Sequence, residues 1–491
     1  MCDDRRTGED LVCFENERFV STPTRGSTER VHFVGISGIG MSALARILLA
    51  RGIAVSGSSD RKTALTDRLV AEGARIAIGH AEANVSGACS VVASTAIDAR
   101  NPELVAAHEY GIPVLHRGAL LARLMAQKRG IAVAGTHGKT TTTAMLARVL
   151  EAGGLDPTVV VGGERTDTHT NARDGAGVWF VGEADESDRS FLDLRPELAI
   201  VTNIENDHID GDADLPALVD AFETFAARLP AIGTIAIGID EPRAASLARV
   251  ARAAKTVTFG FAAAADVRAS DARYADFGST FAVSLRGTHA GTMELAVPGA
   301  INIQDALAAI AIASELGIAF ATIVAALRGF AGVRRRFEIL ARTPRMTLVD
   351  DYAHHPTAVE ATIAAARGNF AGPIVVAFQP HRYTRTRYLG EEFARALRGA
   401  DRVVLTDVYA ASEPAIAGID ATTIGAPLAA AGTHVSYAKV ETLEDALLDC
   451  APEGALVLAL GAGSITAAAA RLAQRLGARM PAEAARASVV R

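Results

Sequence analysis

An apolar run of strand length, "GIAVAG" at Gly130–Gly135, passes directly into "THGKTTTT" at Thr136–Thr143. The run reads as a buried strand, the glycines as a turn, and the lysine and threonines as the head of a helix. Main-chain amides of such a turn, backed by a helix N-terminus, form a site for anionic oxygen. Lys139 would add a point charge toward the outer phosphates of a nucleoside triphosphate, and the Thr140 hydroxyl would complete the coordination of Mg2+. The usual phosphate loop has a glycine five residues before its second one; here that position is Val133, and Gly135 is closer, so the loop is a shortened variant. The blander alternative is a strand-to-helix turn whose threonines only cap the helix. The five lysines of the chain stand at positions 62, 128, 139, 255 and 439, and that scarcity makes the placement of Lys139 informative.

The same strand-then-polar-tip pattern recurs along the chain in three blocks. From 29 to 128, "VHFVGIS", "IAVSGS", "RIAIGH", "CSVVAST" and "IPVLH" alternate with helical stretches. From 129 to 332 come "GIAVAG", "WFVGEAD", "LAIVTNI" and "GTIAIGID", and from 333 to 491 "MTLVDDYA", "PIVVAFQP", "RVVLTDVYA" and "GALVLALGAG". Such alternation predicts parallel sheets covered by helices, with ligands beyond the carboxyl ends of the strands. The expected fold class is α/β in three domains: an N-terminal Rossmann-like domain, a central P-loop ATPase-type parallel sheet and a C-terminal Rossmann-like domain. Residues 1–28 read as a flexible polar tail. The stretch from Asp266 to Glu294 reads as irregular strand, and nothing is placed there.

Two strand tips downstream of the loop are acidic. "WFVGEADESD" supplies Glu183, Asp185, Glu186 and Asp188, and "LAIVTNIENDHID" supplies Asn203, Glu205, Asp207, His208 and Asp210. Magnesium takes oxygen ligands and few of them from protein; a histidine suggests a second, less regular metal position. Solvated strand ends and helix caps are the alternative for either cluster alone.

At 491 residues, with a net charge of -7 and a pI near 6, the chain has room for several cores and no sign of a polyanion binder. Its four cysteines show no CxxC spacing, and no run approaches a membrane span. A cytoplasmic protein, monomer or homodimer, with neither nucleic acid nor membrane as partner, is expected.

The first block carries "VHFVGISGIGMSALARIL", close to the dinucleotide fingerprint, with Gly35 for the turn, Gly40 for helix packing and Asp60 twenty residues on. By itself this reads as an NAD-dependent oxidoreductase. Ser37 occupies the middle glycine position, however, and a dehydrogenase has no use for a separate triphosphate loop. A nucleoside-diphosphate sugar would use the same pyrophosphate geometry.

Taken together, "GISGIGMS", "GTHGKTTTT", "EADESD", "NIENDHID", "RRRFE", "DDYAHHPT", "FQPHRYTRT" and "GAGSI" resemble the Mur ligases of peptidoglycan synthesis, from about Val31 to Thr466. The resemblance is strongest to the member that adds the first amino acid. It implies a three-domain ATP-dependent ligase that joins L-alanine to the lactyl carboxylate of UDP-N-acetylmuramate through an acyl phosphate, with ATP and two Mg2+. It implies further that Gly135, Thr136, His137, Gly138, Lys139, Thr140 and Thr141 hold the ATP phosphates, and that Thr140, Glu183 and His208 hold metal. Asn302, Arg335, Arg336 and Asp351 would serve the nucleotide. Gly38, Gly40, Ser58, Asp60 and His80 would shape the UDP-sugar site. Tyr352 and His354 would face the reaction centre, and His381, Arg382 and Arg385 would receive the amino-acid carboxylate, for which a planar guanidinium is suited.

Departures accompany the match. Where the family usually shows His-Asn followed three residues later by Asn, this chain has Ile301, Asn302 and Asp305. Ser37 replaces a family glycine. The lysine that sister ligases carbamoylate after the "DH" motif is impossible here, since no lysine lies between 139 and 255. A recycling ligase that attaches a whole tripeptide to the same UDP-sugar is the nearest rival, and a catalytically silent binding protein a more distant one.

Overall fold

The computed structural model describes residues 30–205, 214–251 and 255–477. Residues 1–28, expected as a polar tail, lie outside the described residues, as does His208. Three sheets follow one another along the chain, each with helices against its faces.

The first sheet contains Arg30–Phe33 (β1), Ala54–Ser59 (β2), Arg75–Ile78 (β3), Ser90–Ala93 (β4) and Val114–His116 (β5), all parallel, in the order β3-β2-β1-β4-β5. β1 reads Arg-Val-His-Phe, yet Val31, His32 and Phe33 are all buried, so the strand is covered on both faces although its polar residues alternate with its apolar ones.

The second sheet is built on Arg129–Ala134 (β6), Thr158–Val160 (β7), Ala172–Arg173 (β8), Trp179–Glu183 (β9), Leu198–Val201 (β10), Thr234–Gly238 (β11) and Lys255–Gly260 (β12). It continues into Val267–Ala275 (β13), Gly278–Leu285 (β14) and Thr288–Leu295 (β15). The order is β15-β14-β13-β12-β11-β10-β6-β9-β7-β8. The chain leaves β6 toward one side of the sheet and returns to its other side at β10, so the end of β6 is a topological switch point. That is where open α/β sheets leave a crevice for ligand. The helix that follows, Lys139–Ala152, lies against Ala300–Glu315, an alanine-rich helix whose small side chains allow close approach.

The region from Asp266 to Glu294, expected as irregular strand with nothing placed in it, is an antiparallel meander that extends this sheet. In β13 the burial alternates residue by residue, the signature of a sheet with one wet face, but polar side chains and a register shift between Ser270 and Arg273 break the apolar pattern that would announce it.

The third sheet has Glu338–Arg342 (β16), Met346–Asp351 (β17), Ile374–Phe378 (β18), Arg402–Leu405 (β19), His434–Tyr437 (β20) and Ala455–Leu460 (β21), ordered β16-β17-β21-β18-β19-β20. β16 is the antiparallel edge; the rest run parallel. The first and second blocks are fastened through Asn171, which is fully buried. Its amide donates to the Ile39 carbonyl at 2.7 Å and to Ser42 Oγ at 3.0 Å, and its oxygen accepts from Arg46 at 2.5 Å. No helix among the described residues is long and apolar enough to cross a membrane.

Candidate active site

The turn after β6 is held in a shape that side chains would forbid. Gly135 and Gly138 have φ of 128° and 83°, a region that costs most L-residues about 1–2 kcal/mol. Space is also exhausted: a Cβ on Gly135 would fall 2.0 Å from Thr202 Oγ1, and one on Gly138 2.3 Å from Asp305 Oδ1. The loop is tied to the end of β10. The Thr136 amide donates to the Asn203 carbonyl (3.0 Å), the His137 amide to Asn203 Oδ1 (2.9 Å), and Thr202 Oγ1 to the His137 carbonyl (2.6 Å). Gly138 caps the Lys139–Ala152 helix, so the amides of Lys139, Thr140 and Thr141 fall in a first turn that has no intrahelical acceptors, at the positive end of the helix dipole.

Strand register carries acidic groups to this turn. Val133 in β6 is opposite Glu183 at the tip of β9, and Ala134 is opposite Val201 in β10. Thr140 Oγ1 lies 3.0 and 3.1 Å from the two Glu183 oxygens, and the Gly162 amide donates to Glu183 Oε2 at 2.7 Å. Two cis oxygens on an octahedral ion with bonds of about 2.1 Å are separated by about 3 Å, so this pair fits Mg2+ as it stands. Lys139 Nζ donates to the Gly135 and Thr136 carbonyls and lies 2.8 Å from Glu186 Oε2. Burial opposes the ammonium charge, but Glu186, Asp185 and Glu183 together outweigh it and raise its pKa. Burial pushes Glu186 up to about 7, against the pull of Lys139. Asp185 is also desolvated, yet Lys139 and Arg117 hold it down at about 2. Arg117 from the first block closes this side, 2.5 Å from Asp185 and 3.0 Å from Asp188.

The third block supplies the opposite wall. Arg335 and Phe337 adopt positive φ, 61° and 47°, which turns Arg335 and Arg336 over the Tyr352 ring at 4.8 and 5.0 Å. Non-glycine residues held there mark a backbone constrained by its surroundings. Asp351 does the holding: its two oxygens accept the Phe337 and Ala353 amides, each at 2.7 Å. Arg336 reaches across to Thr140 Oγ1 at 3.4 Å. His354 Nδ1 meets the Tyr352 carbonyl at 2.8 Å, and its ring contacts Tyr352 and His381 edge-on at 4.8 and 5.5 Å. His381 in turn stacks on Tyr409 and lies 3.5 Å from the buried Arg385. Arg382, with φ 69°, is half exposed and 3.8 Å from Glu413.

A cavity of about 840 Å³ joins the three blocks. Of the residues singled out in the sequence, Gly38, Gly40, Thr136, His137, Gly138, Lys139, Thr140, Thr141, Glu183, Asn302, Arg335, Arg336, Asp351, Tyr352 and His354 line it. His381 stands behind His354 with Arg385 next to it, while Arg382 is turned toward Glu413. Ser58, Asp60 and His80 stand apart in the first block, where the fully buried Glu103 accepts from Ser58 (2.6 Å) and His80 (3.0 Å), and Asp60 is 3.1 Å from His80 Nε2. Sequence reasoning missed Arg117, Arg334 and His355 on the cavity wall and gave Glu186 no partner. A polar residue closing a predicted strand, as Arg117 follows β5, was the signal available.

The Mur ligase family, catalytic domain, model matches residues 30–129, the Mur ligase middle domain residues 133–313, and the Mur ligase, glutamate ligase domain residues 335–463. The UDP-N-acetylmuramate--L-alanine ligase of Geotalea uraniireducens (strain Rf4) is 46% identical over 453 residues, 92% of this chain and 99% of that protein. Its counterpart in Burkholderia cenocepacia (strain HI2424) is 46% identical over 91% of this chain and 98% of its own length. Among solved structures, the Thermotoga maritima UDP-N-acetylmuramate-alanine ligase MurC superposes with a TM-score of 0.79 at 31% identity, covering 91% of this chain and 99% of that one. The murein peptide ligase of Psychrobacter arcticus 273-4 does so with 0.70 at 25% identity over 91% and 99%. Three family segments in unbroken order, around one cavity to which each contributes a wall, make this chain a member of the Mur ligase family.

Proposed function

We propose that this protein joins L-alanine to the lactyl carboxylate of UDP-N-acetylmuramate at the expense of ATP, in peptidoglycan precursor synthesis, with domains at 29–128, 129–332 and 333–491. The observation that carries the reading is the single cavity where the phosphate loop, the Thr140–Glu183 pair and the Arg335–Arg336 wall meet. In that arrangement a triphosphate on the loop and a carboxylate presented from the first domain would both be anions, and bringing them together is the main barrier.

The loop amides and Lys139 would hold the β- and γ-phosphates. Thr140 and Glu183 are the residues that would hold Mg2+, with His208 a candidate for a second ion; bound metal would neutralise phosphate charge and polarise the transferring group. Arg336, 3.4 Å from Thr140, is placed to meet charge that develops on the γ-phosphoryl oxygens. A carboxylate oxygen would attack the γ-phosphorus as the bond to ADP breaks, giving an acyl phosphate. The alanine amine would then attack the acyl carbon, with inorganic phosphate leaving. Nδ1 of His354 faces a carbonyl and therefore carries its proton, which leaves Nε2 as the basic atom to take the proton lost by the amine. Arg385 and Arg382 beside His381 would receive the amino-acid carboxylate.

The test is ADP and phosphate release by purified protein given UDP-N-acetylmuramate, ATP, Mg2+ and L-alanine, with each omitted in turn. Release that requires all of them supports the reading; none with the full set refutes it. Replacing L-alanine by the tripeptide distinguishes the recycling ligase, which would turn over only with the latter.

A further inference from the structure

We propose that His137, Glu205 and His355 form a binding site for a divalent transition ion of the Zn2+ class, separate from the Thr140–Glu183 pair, that pins the phosphate loop to the C-terminal domain. One ligand atom from each of the three lies within 4.8 Å of the others. They come from three elements: the loop after β6, the segment after β10, and the residue that precedes the Pro356–Asn369 helix. Two imidazoles and one carboxylate make a donor set that suits zinc and its neighbours and not magnesium, which takes oxygens.

The geometry is close to what an ion needs. His137 Nε2 and Glu205 Oε2 are 3.5 Å apart; two ligands on a tetrahedral ion with bonds of about 2.05 Å are separated by about 3.3 Å. The His137 and His355 rings face each other with centroids 5.3 Å apart and a 37° tilt, so modest ring rotation brings the third nitrogen in. His137 Nε2 is buried, and Glu205 Oε2 faces it at 3.5 Å, too far for a good hydrogen bond. His355 sits at the N-cap of its helix without using its ring as the cap.

The ligands are also held in place by neighbours, as metal ligands usually are. The His137 backbone is fastened by Asn203 and Thr202. Thr136 Oγ1 both donates to the Glu205 carbonyl (3.0 Å) and accepts the Glu205 amide (2.8 Å). Thr357, two residues after His355, donates to Glu205 Oε2 at 2.8 Å.

An ion here would connect the nucleotide loop directly to the domain that closes over it, at the cavity wall that His137 and His355 share. The test uses metal-free full-length protein with no nucleotide, titrated with Zn2+ by calorimetry and with Co2+ by visible absorption. The expected result is one site per chain with the d–d bands of a nitrogen-ligated ion, weakened about tenfold or more in both E205Q and H355Q and retained in E183Q. The expected thermal upshift on adding Zn2+ is present in the parent and absent in E205Q. Equal affinity in the parent, E205Q and H355Q, or loss in E183Q with retention in the other two, overturns the proposal. Failure of the parent to bind Zn2+ overturns it as well, whatever the ligase assay shows.

Discussion

Asp305 lies under the phosphate loop, fully enclosed, with Oδ1 accepting the Thr142 hydroxyl at 3.0 Å. Burial pushes its pKa from an ordinary 3.8 up to about 8, although Thr142 and Arg336 both pull it down. The folded state therefore binds a proton that the unfolded chain has already released across that interval. Unfolding releases a proton there, so stability falls as pH rises, by about 1.4 kcal/mol per unit. The cost is absent below pH 3.8 and complete above pH 8. Asp305→Asn keeps the shape and the Oδ1 acceptor, replaces the protonated oxygen with an amide donor, and cannot ionise. From pH 5 to pH 7 the variant should gain on the parent by about 2.7 kcal/mol. Trp179 is the single tryptophan and sits buried at the start of β9 in the same domain, so its fluorescence reports that domain's unfolding in denaturant. Stability profiles of parent and variant that stay parallel from pH 5 to pH 8 would refute the argument: Asp305 would then be ionised in the folded state or solvated.

Lys139→Ala should lower turnover by about 10²–10³-fold or more, as loss of a charge-stabilising donor does, while UDP-N-acetylmuramate binding by calorimetry stays measurable; near-normal ADP release would remove Lys139 from the mechanism. Arg385→Ala should raise KM for L-alanine far more than KM for ATP, and steady-state kinetics showing equal rises would contradict the carboxylate assignment. Asn171→Ala should destabilise the contact between the first and second domains by about 1–3 kcal/mol, because the Ile39 carbonyl and Arg46 lose buried partners. Limited proteolysis that releases the first domain no faster than in the parent would count against it.

Much of the fold is visible in local patterns. Strands such as Ile374–Phe378 and Ala455–Leu460 are buried on both faces, so they are uninterrupted apolar runs with polar tips, and each such tip points to the carboxyl edge where the cavity lies. The β13–β15 meander escaped because a sheet with one wet face needs clean alternation to be read, and its strands carry a register shift and charged residues instead. The site shows the same division. Lys139, Thr140 and Glu183 were singled out because a glycine turn and an acidic strand tip are local patterns, and the fold brings the three together on one cavity wall.

The amino-acid order alone determined that a glycine turn follows the strand at 130–135, that the helix behind it begins with lysine and threonine, and that acids lie at or just beyond the ends of two later strands. Each follows from steric or electrostatic rules acting within a few residues. Pairings across the molecule belong to the tertiary structure: Arg117 with Asp185, Asp305 beneath Gly138, His355 beside His137. Strand order and domain docking bring these groups together from as many as 218 positions apart, and no local propensity encodes that distance. Burial then sets their charge, which is why Asp305, which in the sequence is only an acid in place of a family asparagine, has its pKa pushed up to about 8 in the folded protein.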